Sequence, residues 1–570
     1  MPELPELTIQ GWGPPARPRD ATVPASGDGG GEARTLELAP YPDLAEVLPK
    51  AARRHLAREL GWTPRSTRPA PVGEIRLPPS RLAEEGRQRL VDLLGEDGVR
   101  TDREARLRHA GGRSYLDLLR RRSGDASDAP DAVATPADTG QTAALLAACS
   151  EMGVVVVPYG GGTSVVGGLS GIDVDDRPSV SVDLRRMASV RDVDVPSSLV
   201  TVGPGMRGPA LEDALAGHGL TLGHLPQSYE YATLGGYAAT RSAGQASTGV
   251  GRFDDLVAGL TLATPAGVLE LGSPPSSAAG PDLLGLALGS EGALGVITEL
   301  RLRVRPRPRA VRYEGWSFRT WAGGLAALQR LARHDLLPDV VRLSDGDETR
   351  ANLLMASGMG ARALRGSLRA RRRGAGCLLV VGWEGLPQLV RARVRAAASV
   401  LRDGGAAPLG GRVGESWRRH RFGAPYLRDS LLDAGLLVET LETAATWTAL
   451  PTVYDAVRRA LCDALGRPGK QPLVLSHVSH AYPTGASLYV TVLADRDDAL
   501  PLQQWLGAKR AVTDALVAAG GTLTHHHGVG ADHRPWLERE IGPLGVEVLR
   551  AVKERLDPNA ICNPGVLLPE

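Results

Sequence analysis

The chain has 570 residues, of which 42% are hydrophobic, 23% charged and 4% aromatic, and its 66 Lys and Arg nearly cancel its 64 Asp and Glu. That is enough chain for several domains with large cores. The near-neutral balance argues against a dedicated nucleic-acid binder, which carries a clustered basic excess, and no apolar run reaches the ~18–20 residues of a membrane span.

Cys149, Cys377, Cys462 and Cys562 stand singly. This suits a reducing compartment and makes neither a disulfide framework nor a zinc knuckle. The opening Met-Pro-Glu-Leu-Pro-Glu lacks the basic and apolar regions of a signal peptide, and Leu568-Pro569-Glu570 is not the Ser-Lys-Leu peroxisomal address. A cytoplasmic enzyme is expected.

Residues 13–35 are rich in Pro, Gly and Ala and read as a flexible linker. From about 40 to 125 the pattern is helical, with Leu44, Val47, Leu48, Ala51 and Ala52 at helical spacing, so 1–125 is taken as an N-terminal helical and extended region. A new texture starts after residue 126. Pro136–Met152 predicts a helix with Thr135 as N-cap, and Val154–Val157 predicts a buried strand. Strand and helix signals recur at Val180–Leu184, Leu199–Val202 and Leu211–Ala216, an alternation that predicts an α+β domain. From Leu300 to Arg305 apolar residues alternate with arginines, as a half-buried strand requires. Pro306-Arg307-Pro308 breaks that ladder and closes the domain at 308.

Residues 309–545 predict a second α+β region. Helical patterns at Leu325–Leu331, Leu389–Leu401 and Tyr454–Leu465 alternate with strands at Leu378–Val381 and Leu488–Val492. A helix through Leu502, Trp505, Leu506, Val512 and Leu516 ends with Gly520 as C′. A last helix, Val546–Leu556, is stopped by Asp557-Pro558-Asn559 and forms a C-terminal segment, 546–570.

Three glycine-rich blocks stand out. The first is Pro158-Tyr159-Gly160-Gly161-Gly162-Thr163-Ser164-Val165-Val166-Gly167-Gly168, directly after a strand. Such a ribbon lets successive backbone N–H groups converge on an anionic oxygen. It fails GxGxxG, because Val165 holds the third glycine position, and it lacks the Gly-Lys-Ser/Thr of a nucleotide P-loop. The second block holds Gln227-Ser228, Thr233-Leu234-Gly235-Gly236 and Thr240-Arg241-Ser242-Ala243-Gly244. The third is Gly289-Ser290-Glu291-Gly292-Ala293-Leu294-Gly295-Val296-Ile297-Thr298.

Taken together and in this order, the blocks resemble the FAD-binding domain of the vanillyl-alcohol-oxidase type of flavoprotein. The resemblance implies a two-subdomain FAD-binding domain followed by an α+β cap. It implies FAD contacts within Pro158–Ser164, Gln227–Thr233, Gly235, Gly236, Thr240–Ala243 and Glu291–Ile297. No His lies in the first block, where some relatives attach the flavin covalently, so dissociable FAD is expected.

Near the C-terminus stands Thr524-His525-His526-His527-Gly528-Val529-Gly530. On a strand, His525 and His527 would share one face and His526 the other, so one metal could not easily take all three. No HExxH supports a metal, and none is expected. Imidazoles grouped beside a flavin can instead move protons near neutral pH. Tyr489 sits in a strand pattern, Arg428 in Tyr426-Leu427-Arg428-Asp429, and Arg342 in Val340-Val341-Arg342-Leu343.

This set, with Gly11-Trp12-Gly13, Leu441-Glu442-Thr443, Trp447 and Val552–Asn559, resembles the alkyldihydroxyacetonephosphate synthase family along nearly the whole chain. The resemblance implies exchange of the acyl group of an acyl-dihydroxyacetone phosphate for a fatty alcohol through a flavin N5 adduct, in ether-lipid synthesis. It implies proton transfer by Tyr489 with His525, His526 and His527, and roles for Arg342 and Arg428, with phosphate or carboxylate recognition natural for Arg428. A tyrosine of ordinary pKa ~10 would need nearby positive charge to serve as a base. A homodimer is expected.

Leu353-Leu354-Met355 and Arg369–Arg373 read as a surface loop, or as a contact with an anionic membrane. The rival is an FAD-linked 2-hydroxy-acid dehydrogenase or oxidase of D-lactate or glycolate type, which shares the FAD blocks.

Overall fold

A computed structural model of the chain describes residues 6–13, 48–169, 177–272, 274–356 and 358–569. Most of the expected linker 13–35, and with it Leu44 and Val47, lies outside these residues. Short helices fill the N-terminal region, among them Lys50–Leu60, Glu84–Leu94 and Tyr115–Arg122. Leu48 and Ala52 are buried as the spacing predicts, but Ala51 is exposed.

Among the described residues three larger sheets and one two-stranded pair follow. The first has the order β1-β2-β4-β3, with β1 Val99–Arg100, β2 Ala132–Ala134, β3 Val155–Tyr159 and β4 Ser179–Asp183. β2, β4 and β3 run parallel. Parallel strands need a crossover, and the helix Thr139–Met152 supplies it. That helix starts three residues later than the sequence suggests. Asp138, not Thr135, caps it, its carboxylate accepting from Gln141 N at 2.8 Å. A carboxylate aimed at the first-turn amides outcompetes the Thr-Pro start.

The second sheet is antiparallel, in the order β5-β6-β10-β8-β9. It contains β5 Val190–Asp194, β6 Leu199–Val202, β8 Val257–Thr264, β9 Gly267–Gly272 and β10 Val296–Arg303. In β10, Leu300 and Leu302 are buried while Arg301 and Arg303 are not, the alternation expected of that stretch. β7 Leu220–Thr221 pairs with β11 Arg305–Pro306 beside it.

The third sheet has seven strands in the order β15-β12-β14-β13-β17-β18-β16. These are β12 Ala310–Phe318, β13 Val340–Ser344, β14 Cys377–Gly385, β15 Ala407–Gly410, β16 Leu436–Thr446, β17 Leu473–Ala481 and β18 Gly485–Asp495. The helices Trp321–Arg333, Pro387–Asp403, Leu450–Leu465 and Pro501–Ala518 share its main apolar core. Gly520 follows the last of these with φ of 86°, as its expected C′ role requires.

The helical stretch Leu537–Leu556 leads back to the first sheet. There Val156 N donates to Ile561 O and Asn563 N to Val156 O, each at 2.8 Å. Among the described residues no helix is long and apolar enough to cross a membrane. Leu353–Met355 closes a helix, Gly346–Met355, and Arg369 lies in another, Gly358–Ala370. This segment is thus largely helical, not the loop the sequence suggests.

Candidate active site

A cavity of about 530 Å³ lies where the two smaller sheets meet the seven-stranded one. Of the residues assigned to the cofactor from the sequence, Tyr229, Glu230, Tyr231, Arg241, Ala293, Leu294 and Val296 do not line it, and the others do. Arg241 instead reaches the segment just before the third block, bonding Leu288 O at 3.0 Å and Gly285 O at 2.7 Å. Val296 is buried between the sheets.

The ribbons are packed backbone to backbone. A Cβ on Gly161 would overlap the carbonyl oxygen of Tyr231 and lie 2.7 Å from the Ala232 Cα. Among the described residues, the amides of Gly161, Gly162, Thr163 and Ser164 have no protein acceptor. A run of unspent N–H donors on a ribbon with no bulk is what a pyrophosphate needs. The residues present therefore fit FAD.

The opposite wall is built of side chains. Along β18, Leu488, Val490 and Val492 point into the helix-covered core, while Tyr489, Thr491 and Leu493 face the cavity, the period-two alternation of a strand. Pairing then sets one row across three strands. Tyr489 stands opposite His477 on β17 and opposite Glu442 on β16. Imidazoles surround the phenol: His477 stacks on it with centroids 5.1 Å apart, His526 at 6.2 Å, and His527 meets it edge-on at 5.7 Å.

The electrostatics differ from the expectation for Tyr489. Burial pushes its phenol up; hydrogen bonding to Thr440 and the Arg428 charge act against this, while Glu439 and Glu442 add to it. Tyr489 therefore rests as a neutral phenol, not a phenolate. Burial also pushes His527 and His480 each down to about 3, and holds His525 well below the usual imidazole range. The proton acceptors ready near neutrality are these uncharged imidazoles.

The three histidines are not on a strand. They form a loop wrapped around Glu442, whose carboxylate accepts from His525 N at 2.7 Å, His527 N at 2.9 Å and His526 N at 3.0 Å. Thr524 Oγ1 adds a fourth bond at 2.6 Å. Farther along the same loop, Glu291 of the third glycine block accepts from Val529 N at 2.7 Å and Gly530 N at 2.9 Å. Its carboxyl is pushed up to about 7, burial outweighing these two bonds.

One carboxylate from each side of the cavity thus pins the histidine loop. Glu442, His525 and His526 do bring ligand-type atoms within 4.8 Å of one another. The Glu442 oxygens are already taken by amides, however, so the group is organised as a hydrogen-bond network.

Both arginines named from the sequence line the cavity, each held by a carboxylate. Arg428 Nη2 donates to Glu439 at 2.9 Å and Nη1 to Arg113 O at 3.0 Å. Arg342 Nη2 donates to Glu348 at 2.6 Å, and the same oxygen lies 3.1 Å from His477 Nδ1. Asp429 explains why two distant motifs travel together. It accepts from Trp12 N at 2.7 Å, and a Cβ on Gly11 would lie 2.8 Å from its Cγ.

Sequence reasoning gave no part to His477, His480, Glu348 or Tyr482, and left Glu442 as a matched letter without a role. Only the strand register could have connected Glu442 and His477 to Tyr489.

Comparison with known proteins bears on the family and the fold. A family model described as an FAD binding domain matches residues 130–272, and one for the C-terminal domain of FAD linked oxidases matches 307–567. The chain is 32% identical to the alkyldihydroxyacetonephosphate synthase of Dictyostelium discoideum, over 93% of this chain and 89% of that one. The corresponding protein of Trypanosoma brucei brucei is 33% identical over 87% and 82%. A solved alkyldihydroxyacetonephosphate synthase structure superposes with a TM-score of 0.78 at 30% identity, covering 90% of this chain and 92% of the other.

The chain belongs to the alkyldihydroxyacetonephosphate synthase family. Its fold is the α+β, two-domain arrangement of these flavoproteins, and its cofactor is FAD.

Proposed function

We propose that this enzyme exchanges the acyl group of an acyl-dihydroxyacetone phosphate for a fatty alcohol, forming the ether bond of an ether lipid. One observation carries the reading: a single cavity joins the FAD ribbons and the Tyr489–imidazole group to an apolar arm. Leu48, Leu56, Leu354, Met355, Leu431 and Leu493 line that arm, which suits a substrate with one charged end and one long chain.

When bound along the glycine ribbons, FAD would supply an electrophilic centre for the exchange, with no net oxidation. The chain's own residues handle charge and protons. Arg428 and Arg342, fixed by Glu439 and Glu348, present guanidinium charge to a phosphate. An imidazole nitrogen of His526 or His527 accepts the proton taken from the ester-bearing carbon, and Tyr489 passes or returns it. The seven-stranded sheet and its helices hold these groups still, so their geometry is prepaid in folding.

The same reading has FAD bound without a covalent link, since the first block offers no His. It places the enzyme in the cytoplasm as a homodimer acting on lipid and not on nucleic acid. Peripheral contact with an anionic membrane is supported by the exposed Arg369, Arg371 and Arg372 close in sequence to the Leu354–Met355 end of the cavity. Loss of binding to anionic vesicles in Arg→Ala variants, sedimentation and cell fractionation test these parts.

The central test is incubation with labelled acyl-dihydroxyacetone phosphate and a fatty alcohol. Labelled ether product supports the reading. Anaerobic bleaching of the flavin by 2-hydroxy acids, with no ether formed, would replace it with the dehydrogenase alternative.

A further inference from the structure

We propose that His525 and Tyr482 form a proton path leading from the cavity to solvent, which carries away one proton in each turnover. The inference rests on the exchange reading, because that reaction has a surplus proton. The bond from carbon to the acyl oxygen breaks and its electron pair leaves on a carboxylate. The bond from carbon to the alcohol oxygen forms, and the alcohol gives up its hydrogen. Near neutral pH the departing fatty acid stays ionised, so one H⁺ remains in the site.

The structure offers a hydrogen-bonded route. His526 lines the cavity and stacks on Tyr489. Its Nδ1 lies 3.0 Å from Nδ1 of His525, and His525 Nε2 lies 2.6 Å from the Tyr482 hydroxyl. Neither His525 nor Tyr482 is part of the cavity wall. Tyr482 sits in the turn between β17 and β18, half-buried beside the exposed Pro483 and Thr484. The three side chains therefore run from the reacting end of the cavity to a surface turn.

Two facing Nδ1 atoms can bond only if one carries hydrogen and the other does not. Both arrangements leave His525 Nε2 a partner in Tyr482, as acceptor in one and donor in the other. These are the two states of a relay. A proton taken up at His526 Nε2 releases the hydrogen on Nδ1 to His525 Nδ1. His525 then releases its Nε2 hydrogen to the Tyr482 oxygen, whose own hydrogen passes to water.

The surroundings suit transit and not storage. Glu442 lies 3.4 Å from His526 Nδ1 and 3.9 Å from His525 Nδ1, and stabilises the moving charge. His480 stacks on His525 at 5.1 Å, and Arg252 donates to the His525 carbonyl at 3.0 Å. Burial keeps His525 a poor resting place for a proton.

Tyr482→Phe removes the hydroxyl and keeps the ring. In dilute buffer its turnover should fall about tenfold or more, with the flavin spectrum and the apparent affinity for acyl substrate unchanged. Added imidazole, acting as a diffusible proton carrier, should restore the rate, while wild type stays insensitive to it. His525→Gln should show the same rescue. A Tyr482→Phe enzyme that turns over normally in dilute buffer, or that is slow and not rescued by imidazole, overturns the path. Wild type that makes no ether from labelled substrates overturns the exchange reading itself, and is told apart by that control.

Discussion

The two walls of the cavity are made of different material. The FAD wall is backbone: ribbons without bulk, whose amides are left free for an anion and whose spacing tolerates no added carbon at Gly161. The cap wall is side chain: a phenol, imidazoles and guanidiniums, each held by a carboxylate or by the strand register. A backbone wall gives affinity that does not depend on protonation state. A side-chain wall gives chemistry, and its cost is burial of groups that titrate.

The largest effect expected at one position is on the cap wall. Tyr489→Phe should lower ether formation roughly 10²–10⁴-fold, the usual worth of a positioned proton carrier, while the FAD absorbance of the purified protein is unchanged. A variant that keeps its activity would take the phenol out of the mechanism and leave the surrounding imidazoles to do the work.

Next is Glu442→Gln. The amide nitrogen would face backbone N–H donors that now share a carboxylate. Leaving one such buried donor unmatched costs about 1–3 kcal/mol, or roughly 10- to 100-fold in rate if it falls on the transition state. Because Glu442 also favours protonation of His525 and His527, the variant should make these imidazoles weaker bases. The measurement is the pH profile of turnover, which simple loosening of the loop would not displace.

Acid separates the walls as well. His480 and His527 are held at about 3 by burial, against about 6.5 for an unfolded histidine. Between these values the unfolded chain binds more protons than the folded one, so stability is full above about pH 6.5 and falls steadily as the pH drops toward 3. Thermal melts across that range should show the decline. His480→Gln, if it folds, should make it shallower.

How much of this was legible beforehand follows the same division. The glycine blocks could be read because a backbone site writes itself as consecutive small residues, and most of them line the cavity. Tyr489, Arg342, Arg428 and the histidines were found through resemblance, but not the way they are held. Glu442 meets the loop at His525 from more than eighty positions away in the chain, through pairing of β16 with β18, and no local pattern encodes that register. Whether the histidines stand on a strand or in a loop could not be read locally, for the same reason. Amides that would have bonded a neighbouring strand bond a carboxylate instead. The start of the helix at Thr139 was misjudged more locally, because Asp138 offered a stronger cap than Thr135.

The smallest effects test whether the glycine wall is one device or several. Gly161→Ala should cost about 1–3 kcal/mol, since the methyl meets fixed backbone and not a movable side chain, and the protein should be purified with little flavin. Gly236 differs. It lies in the first turn of the helix Leu234–Thr240, and a Cβ there finds only Thr233 Oγ1, at an ordinary 3.5 Å, with open cavity beyond. Alanine at such a helical site should raise the melting temperature of the apoprotein, by about 0.5–1 kcal/mol of stability, while its methyl enters the space assigned to FAD and weakens cofactor binding. Opposite shifts of apoprotein stability and flavin affinity in Gly236→Ala would mark the glycine as kept for the ligand. If both rise together, the cofactor does not pass there, and the ribbon near Gly161 carries the binding alone.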